Sequence, residues 1–136
     1  MELNGLLKQY LQDYEEVYDY RNIEVTIDEQ DIFNVTINES LAVALLTNLL
    51  KNAFVHNIDG GHIRITVTKN SITFRNSGVK NPLDKEHIFE RFYQGTKKEG
   101  STGLGLAIAD SICRLQHLSI RYYFEQKEHC FEISRQ

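Results

Sequence analysis

Two asparagine side chains on one predicted helix are the first candidates for chemistry. Asn48 and Asn52 lie four residues apart in the segment 39–56, where most other residues are apolar. At about 100° per residue they share one side of the helix. A buried carboxamide without a partner costs about 1–3 kcal/mol. Each amide therefore needs either the backbone and water of an ordinary core or a bound ligand, and these two residues alone favour neither.

A glycine-rich stretch before another predicted helix is the second candidate. Residues 100–105 read Gly-Ser-Thr-Gly-Leu-Gly and lead into an apolar helical pattern. Exposed amide N–H groups and the positive end of a helix dipole make such a turn an anion site, and glycine lets a phosphate approach the backbone. It is not a P-loop, because no Gly-Lys-Ser/Thr follows, and it is not a dinucleotide fingerprint, because no strand leads directly into it. A flexible turn before a helix is the alternative interpretation.

The end of a predicted strand is the third candidate. Asn76 closes this strand and is followed by Ser77 and Gly78. Its amide would lie at the end of the sheet, where a carbonyl oxygen could accept a hydrogen bond from an adenine amino group. Ordinary turn chemistry explains Asn-Ser-Gly equally well, so this motif is weak by itself.

The order of the motifs resembles the ATP-binding domain of sensor histidine kinases. The asparagine helix is followed by the strand ending in Asn-x-Gly, by Ile-Phe-Glu-Arg-Phe-Tyr at 88–93, and by Gly-Leu-Gly-Leu-Ala-Ile at 103–108. The family's N, G1, F and G2 boxes come in this order, and the wider group includes DNA gyrase and the mismatch-repair ATPases. The resemblance covers nearly the whole chain. It implies a Bergerat-type ATP-binding fold, ATP and Mg²⁺ as ligands, and an ATP lid at about 79–102.

The resemblance also implies a role for each matching residue. Asn52 would supply an oxygen to the Mg²⁺ that bridges the phosphates, as suits a hard cation. Asn48 would support the phosphates or a metal-bound water, and these two asparagines form the catalytic pair. Asn76 and Gly78 would bind the base. The other implied ATP-binding positions are Phe89 and Phe92 of the lid and Ser101, Thr102, Gly103, Leu104 and Gly105 around the polyphosphate, with lid charges at Arg91, Lys97 and Lys98.

Four positions depart from the family pattern. Asn76 stands where the family has an aspartate, Lys80 replaces a glycine, Val55 stands where many members carry Lys or Arg, and Gln94 stands where a lid arginine often follows. These departures leave a degenerate docking module as an alternative, and a stand-alone serine kinase of the anti-sigma-factor type is another. A gyrase-like ATPase is disfavoured, because the helix offers an amide near the place of the glutamate that activates water in hydrolytic relatives, and an amide cannot act as a base.

None of the histidines has the sequence setting of a phosphoacceptor, which is of the type His-Glu/Asp-x-Arg/Lys. The five are His56, His62, His87, His117 and His129. The resemblance therefore implies that this domain supplies the γ-phosphoryl group to a histidine on a separate, dimeric helical phosphoacceptor domain, with a response regulator as an indirect partner. We expect the phosphoacceptor and sensor domains of the parent kinase to lie outside this chain. The domain is expected in the cytoplasm, with an inner-membrane receptor as one form of the parent.

Hydrophobic periodicity predicts three helices and three strand pairs that position these motifs. The predicted elements are a helix from 3 to about 21, strands at 23–28 and 32–37, a helix at 39–56 capped by Asn38, strands at 62–68 and 71–75, a helix from 104, and strands at 118–125 and 129–134. The strands come in adjacent pairs rather than in βαβ units. We therefore predict an α+β fold, an α/β sandwich with helices layered on one face of a mixed, mostly antiparallel sheet.

Composition limits the remaining function classes. The 136 residues, 41% hydrophobic and 25% charged, fit one globular domain over 1–136. The net charge of -4 is uneven, because the first 31 residues carry -7 and the rest +3, which suits an anionic ligand in the later part. No dense basic stripe is present, so we expect no nucleic-acid partner. The longest apolar stretch, 40–50, is too short to cross a bilayer, so we expect no membrane contact by this domain.

Overall fold

A single sheet with three helices makes up the computed structural model, which describes residues 1–93 and 103–136. The helices are α1 (Leu3–Val17), α2 (Glu39–Val55) and α3 (Gly105–Leu115), with a 3₁₀ turn at Asp19–Arg21; the strands are β1 (Glu24–Glu29), β2 (His62–Val67), β3 (Ser71–Asn76), β4 (Leu118–Glu125) and β5 (Glu128–Arg135). No helix within the described ranges is long and apolar enough to span a membrane.

The sheet has the strand order β1-β2-β3-β5-β4. Strands β1 and β2 run parallel, whereas β2–β3, β3–β5 and β4–β5 are antiparallel. The core includes Leu7 of α1, Leu49 of α2, Phe74 of β3 and Ile133 of β5, each at most 1% exposed. The prediction of an α+β fold with a mixed, mostly antiparallel sheet is confirmed.

The segment 32–37 is not a strand paired with β1, so that prediction is wrong. Its period-two pattern has a different cause: Phe33 and Val35 are buried while their neighbours are not. The backbone of this segment bonds to the start of the chain instead. Leu3 N–H donates to the Phe33 carbonyl at 3.0 Å, and Val35 N–H donates to the Met1 carbonyl at 2.9 Å. The partner of β1 is β2.

Helix α2 begins where the capping signal predicts. The Asn38 side chain accepts a hydrogen bond from Leu41 N–H at 2.8 Å, which satisfies one of the free amides of the first turn. At the other end, the Arg21 guanidinium donates to the carbonyls of Phe54 at 2.5 Å and Asn57 at 2.7 Å. Both ends of the helix that carries the asparagine pair are therefore fixed by side chains.

Candidate functional site

Two adjoining cavities form a cleft between α2, the end of β3 and the start of α3. The larger cavity, about 180 Å³, is lined by Asn48, Asn52, Gly103 and Gly105 among others. The smaller, about 40 Å³, is lined by residues that include Asn76. Four residues line both cavities: Asn52, His56, Tyr93 and Leu106. The fold thus brings the three sequence motifs together in one cleft.

The two asparagines of α2 differ in how they are bonded. The Asn48 amide nitrogen donates to the Ala44 carbonyl at 2.7 Å, and a Cβ placed on Gly105 would lie 3.0 Å from the Asn48 Oδ1 atom. The Asn52 side chain makes no hydrogen bond with any residue that the structure describes. The idea of two amides satisfied by the core therefore fits Asn48 only, and Asn52 presents an unpaired amide to the cleft.

The start of α3 forms one wall of the larger cavity. The helix begins at Gly105 without a side-chain cap, and no acidic residue lies in its first turn. The first amides of a helix have no partner within it and carry the positive end of the dipole. Gly103, at φ +75°, has the left-handed conformation that favours glycine. This wall suits an anion such as a phosphate.

Asn76 holds an unsatisfied acceptor beside the smaller cavity. The residue is 2% exposed, and its amide nitrogen donates to the Ser77 carbonyl at 2.8 Å. Its Oδ1 atom is buried and has no hydrogen-bond partner within the described residues. Because a carbonyl can only accept, the nitrogen must face Ser77, and this fixes the orientation of the amide. A buried acceptor without a donor costs about 1–3 kcal/mol, which a donor on a ligand would offset.

Gly78 lies where the chain passes between α2 and β5. A Cβ at this position would come within 2.9 Å of the His56 carbonyl oxygen and 3.1 Å of the His129 ring. The close approach explains the glycine in physical terms. Contact of Gly78 with a base stays a prediction.

A hydrogen-bond network that the sequence analysis missed holds the wall of the smaller cavity. His129 accepts at Nδ1 from the Tyr122 hydroxyl at 2.7 Å and donates from Nε2 to the Val79 carbonyl at 2.7 Å. The Tyr122 oxygen accepts from Leu83 N–H at 2.9 Å. Val79 and Leu83 both line the smaller cavity. The network requires neutral His129, because the charged ring has no acceptor nitrogen.

We expect His129 to make the stability of the domain sensitive to mild acid. Burial lowers the pKa of His129, against a smaller opposing effect of the Val79 hydrogen bond. The unfolded chain gains this proton near about pH 6.5 and the folded chain only at lower pH. The stabilisation of the folded domain by neutral His129 is therefore complete above about pH 6.5. It is lost as the pH falls further, by no more than about 1.4 kcal/mol per pH unit.

Urea unfolding at about pH 7.5 and about pH 5.5 measures this loss. His129→Gln removes the titrating ring, so the free energy of unfolding of this variant should fall less between the two pH values than that of the wild type. His117→Asn replaces an exposed histidine and should keep the wild-type pH dependence. Equal pH dependence of wild type and His129→Gln would contradict the assignment.

The two lid phenylalanines have different environments. Phe89 meets the Phe131 ring edge-on, with the ring centroids 6.3 Å apart. Phe92 is 68% exposed, with φ +65°, and its N–H donates to the Gly103 carbonyl at 2.6 Å. The Arg91 guanidinium lies over the Phe92 ring, 5.9 Å from the centroid. Four implied contacts lie outside the described residues and stay predictions: Lys97, Lys98, Ser101 and Thr102.

Lys51 is a further residue that the sequence analysis did not select. It lines the larger cavity together with Asn48 and Val55, and its side chain is exposed. Its position three residues after Asn48 places it on a neighbouring part of the same helix surface. Helical spacing could therefore have indicated Lys51 before the fold was known.

A family model gives an independent comparison for the chain. Residues 37–134 match the model described as "Histidine kinase-, DNA gyrase B-, and HSP90-like ATPase". The matched range contains α2, the end of β3 and the start of α3. All three parts of the cleft thus fall inside it.

Two curated relatives and two solved structures are similar to the chain. The heme sensor protein HssS of Staphylococcus aureus (strain Newman) is 33% identical over 127 residues, which cover 90% of this chain and 28% of HssS. The sensor histidine kinase RppB of Synechocystis sp. is 43% identical over 84 residues, 55% of this chain and 18% of RppB. The catalytic domain of histidine kinase ThkA has a TM-score of 0.84 at 26% identity and covers 98% of this chain and 91% of that domain. The mycobacterial sensor histidine kinase MprB has the same fold, with a TM-score of 0.84 at 18% identity over 99% of this chain and 97% of that chain.

Proposed function

Because the chain belongs to the histidine kinase-, DNA gyrase B- and HSP90-like ATPase family, we propose that it holds Mg-ATP in the cleft and presents the γ-phosphoryl group to a histidine on a separate, dimeric helical domain. The chain spans 28% of the length of HssS.

The unpaired oxygen of Asn76 is the observation that carries the proposal. Asn76 lines the smaller cavity, and its buried oxygen is an acceptor of fixed orientation. An adenine amino group would donate to it and satisfy it, whereas guanine carries a carbonyl at the corresponding position and would leave two acceptors facing each other. Asn76 therefore favours adenine although it lacks the charge of an aspartate.

The phosphates would lie in the larger cavity, between α2 and α3. The uncapped start of α3 offers amides to their oxygens. The unpaired amide oxygen of Asn52 suits Mg²⁺, which prefers oxygen ligands and keeps several waters. Mg²⁺, when bound, neutralises charge on the phosphates. Asn48 lies beside Gly105 and would support the phosphates or a metal-bound water.

The lining of the cleft favours transfer to another protein group over hydrolysis. Neither cavity has an Asp or Glu among the described residues that line it, so none of these residues offers a carboxylate that could activate water. Catalysis by this chain then consists of positioning the nucleotide for a nucleophile that enters from outside. In this proposal the domain works in the cytoplasm, and the phosphoryl group passes on to a response regulator. ThkA has been solved in complex with the response regulator TrrA, and that kinase has the same fold, with a TM-score of 0.78 at 23% identity over 98% of this chain and 40% of ThkA.

We expect Asn76→Leu to weaken the binding of ADP and ATP about 5- to 150-fold. The substitution keeps the side-chain volume but leaves the adenine amino group without an acceptor, at a cost of about 1–3 kcal/mol. Isothermal calorimetry with ADP, ATP and GDP measures it. The wild type should prefer ADP to GDP.

Asn70→Leu makes the same exchange at an exposed residue of the β2–β3 turn and should bind ADP as the wild type does. A wild-type chain that binds neither ADP nor ATP would overturn the proposal in favour of a docking module. Equal binding of ADP by the wild type and by Asn76→Leu would remove Asn76 from the site.

The acceptor residue is tested separately. The chain is mixed with the purified phosphoacceptor domain of a sensor histidine kinase and ATP labelled in the γ position. Label on the helical domain that is lost in acid indicates phosphohistidine. Acid-stable label on a regulatory partner would instead indicate the serine-kinase alternative, and release of inorganic phosphate without label on protein would indicate an ATPase.

A further inference from the structure

Lys51 places a positive charge beside the larger of the two cavities. It lies on α2 between the two asparagines and lines the larger cavity. It makes no hydrogen bond or ion pair with any residue in the described part of the chain, whereas Arg114 of α3 pairs with Asp110 at 2.9 Å. Its ammonium group is therefore available to a ligand.

Lys51 is also the only Lys or Arg among the described residues that line the two cavities. The other lining side chains are apolar groups, amides, a tyrosine and histidines. Val55, one turn later on the same surface of α2, is 7% exposed and contributes no charge. Among the described residues, a polyanion in this cleft would thus contact amides and a single lysine ammonium group.

The two cavities have different linings, and this difference indicates which part of a ligand would lie near Lys51. Asn76 belongs only to the smaller cavity, whereas Asn52 and His56 line both. Lys51 and Ile108 belong only to the larger cavity. Lys51 therefore lies in the part of the cleft that Asn76 does not line. A nucleotide whose base meets Asn76 would place its terminal phosphate near Lys51.

We propose that Lys51 binds the terminal phosphate of the triphosphate and thereby makes the domain prefer ATP to ADP; the inference rests on the proposed function of the cleft. Lysine suits this task because its ammonium is a point charge on a flexible stem that can follow a phosphate oxygen. In the proposed site Asn52 would meet Mg²⁺ and the start of α3 would meet phosphates that both nucleotides carry, so neither distinguishes ATP from ADP by charge.

The test compares ATP and ADP, each with Mg²⁺, by isothermal calorimetry on the whole chain. We expect Lys51→Gln to weaken ATP binding about tenfold and to change ADP binding less than about threefold, because the ammonium makes a charge-assisted contact only with the phosphate that ADP lacks. Lys51→Arg keeps the charge and should retain most of the preference for ATP. Lys69→Gln, in the exposed turn between β2 and β3, should bind both nucleotides as the wild type does.

The outcomes separate this inference from the proposed function. A wild-type chain that binds ATP and ADP, together with a Lys51→Gln variant that keeps the wild-type ratio of the two affinities, would overturn the role of Lys51 and leave the nucleotide site intact. A wild-type chain that binds neither nucleotide would overturn both. Raising the salt concentration should reduce the ATP preference of the wild type more than that of Lys51→Gln, because the attraction between the Lys51 ammonium and the terminal phosphate is screened.

Discussion

Replacing Asn52 with alanine should abolish the magnesium-dependent part of ATP binding. The wild type should bind ATP much more tightly with Mg²⁺ than with a chelator, and Asn52→Ala should bind it equally in both conditions. The expected loss in Mg²⁺ is about 100-fold, or about 2.7 kcal/mol. The reason is that Asn52 holds the unpaired amide at the middle of the cleft, where both cavities meet.

A titration of a fluorescent ATP analogue with and without Mg²⁺ measures this effect. The variant should fold, because Asn52 has no hydrogen bond to lose among the described residues and alanine is the better helix former. Asn70→Ala, at an exposed turn, provides the matched control and should keep the Mg²⁺ dependence. An Asn52→Ala variant whose affinity for the ATP analogue still rises with Mg²⁺ would contradict the proposed metal-binding role of this residue.

Gly61→Ala should destabilise the whole domain by about 3 kcal/mol or more. A Cβ at Gly61 would lie 2.2 Å from Asn57 Oδ1 and 2.3 Å from Ser77 Oγ. These two atoms bond to each other at 2.6 Å, and Asn57 is fully buried. The methyl group must break this bond and leave buried polar groups unsatisfied, each at about 1–3 kcal/mol. The midpoint of thermal unfolding should fall by about 10 °C.

Gly5→Ala is the matched control for this prediction. Gly5 lies inside α1, and a Cβ there would meet nothing within 4 Å. Alanine should therefore raise the free energy of unfolding by about 0.5–1 kcal/mol, through helix propensity alone. Urea unfolding followed by circular dichroism compares the two variants with the wild type. A Gly61→Ala midpoint equal to that of the wild type would show that the buried cluster can rearrange without cost.

Local signals explain why much of the fold could be predicted from the sequence. Asn38 caps α2 as its position indicated, and the two hairpins β2–β3 and β4–β5 join strands that are neighbours along the chain. Such elements depend on residues a few positions apart. The segment 32–37 failed the same reasoning, because alternation shows which side chains are buried and does not show which backbone supplies the hydrogen bonds.

The features of the site fall into the same two groups: those that local spacing predicts and those that depend on the register of the sheet. Asn48 and Asn52 share one helix, so spacing alone placed them on one surface. The hydrogen bond of His129 to Val79 and the unpaired oxygen of Asn76 depend instead on the register of β3 and β5, two strands far apart in sequence that pair Asn76 with His129. No local pattern reports that register. The order of the motifs predicted that the two asparagines of α2, Asn76 and the glycines before α3 meet in one cleft, whereas the hydrogen bonds of these residues depend on the fold.

The hydrogen bond between Phe92 N–H and the Gly103 carbonyl joins the backbone next to Tyr93 directly to the turn before α3. A Cβ at Gly103 would lie 2.7 Å from the Phe92 Cα atom and 2.8 Å from the Phe92 carbonyl carbon, so the two backbones leave no room for a side chain between them. Tyr93 lines both cavities, and Gly103 lines the larger one. A larger residue at position 103 would therefore displace two parts of the cleft lining at once, and this glycine constrains the shape of the cleft as well as the conformation of its own backbone.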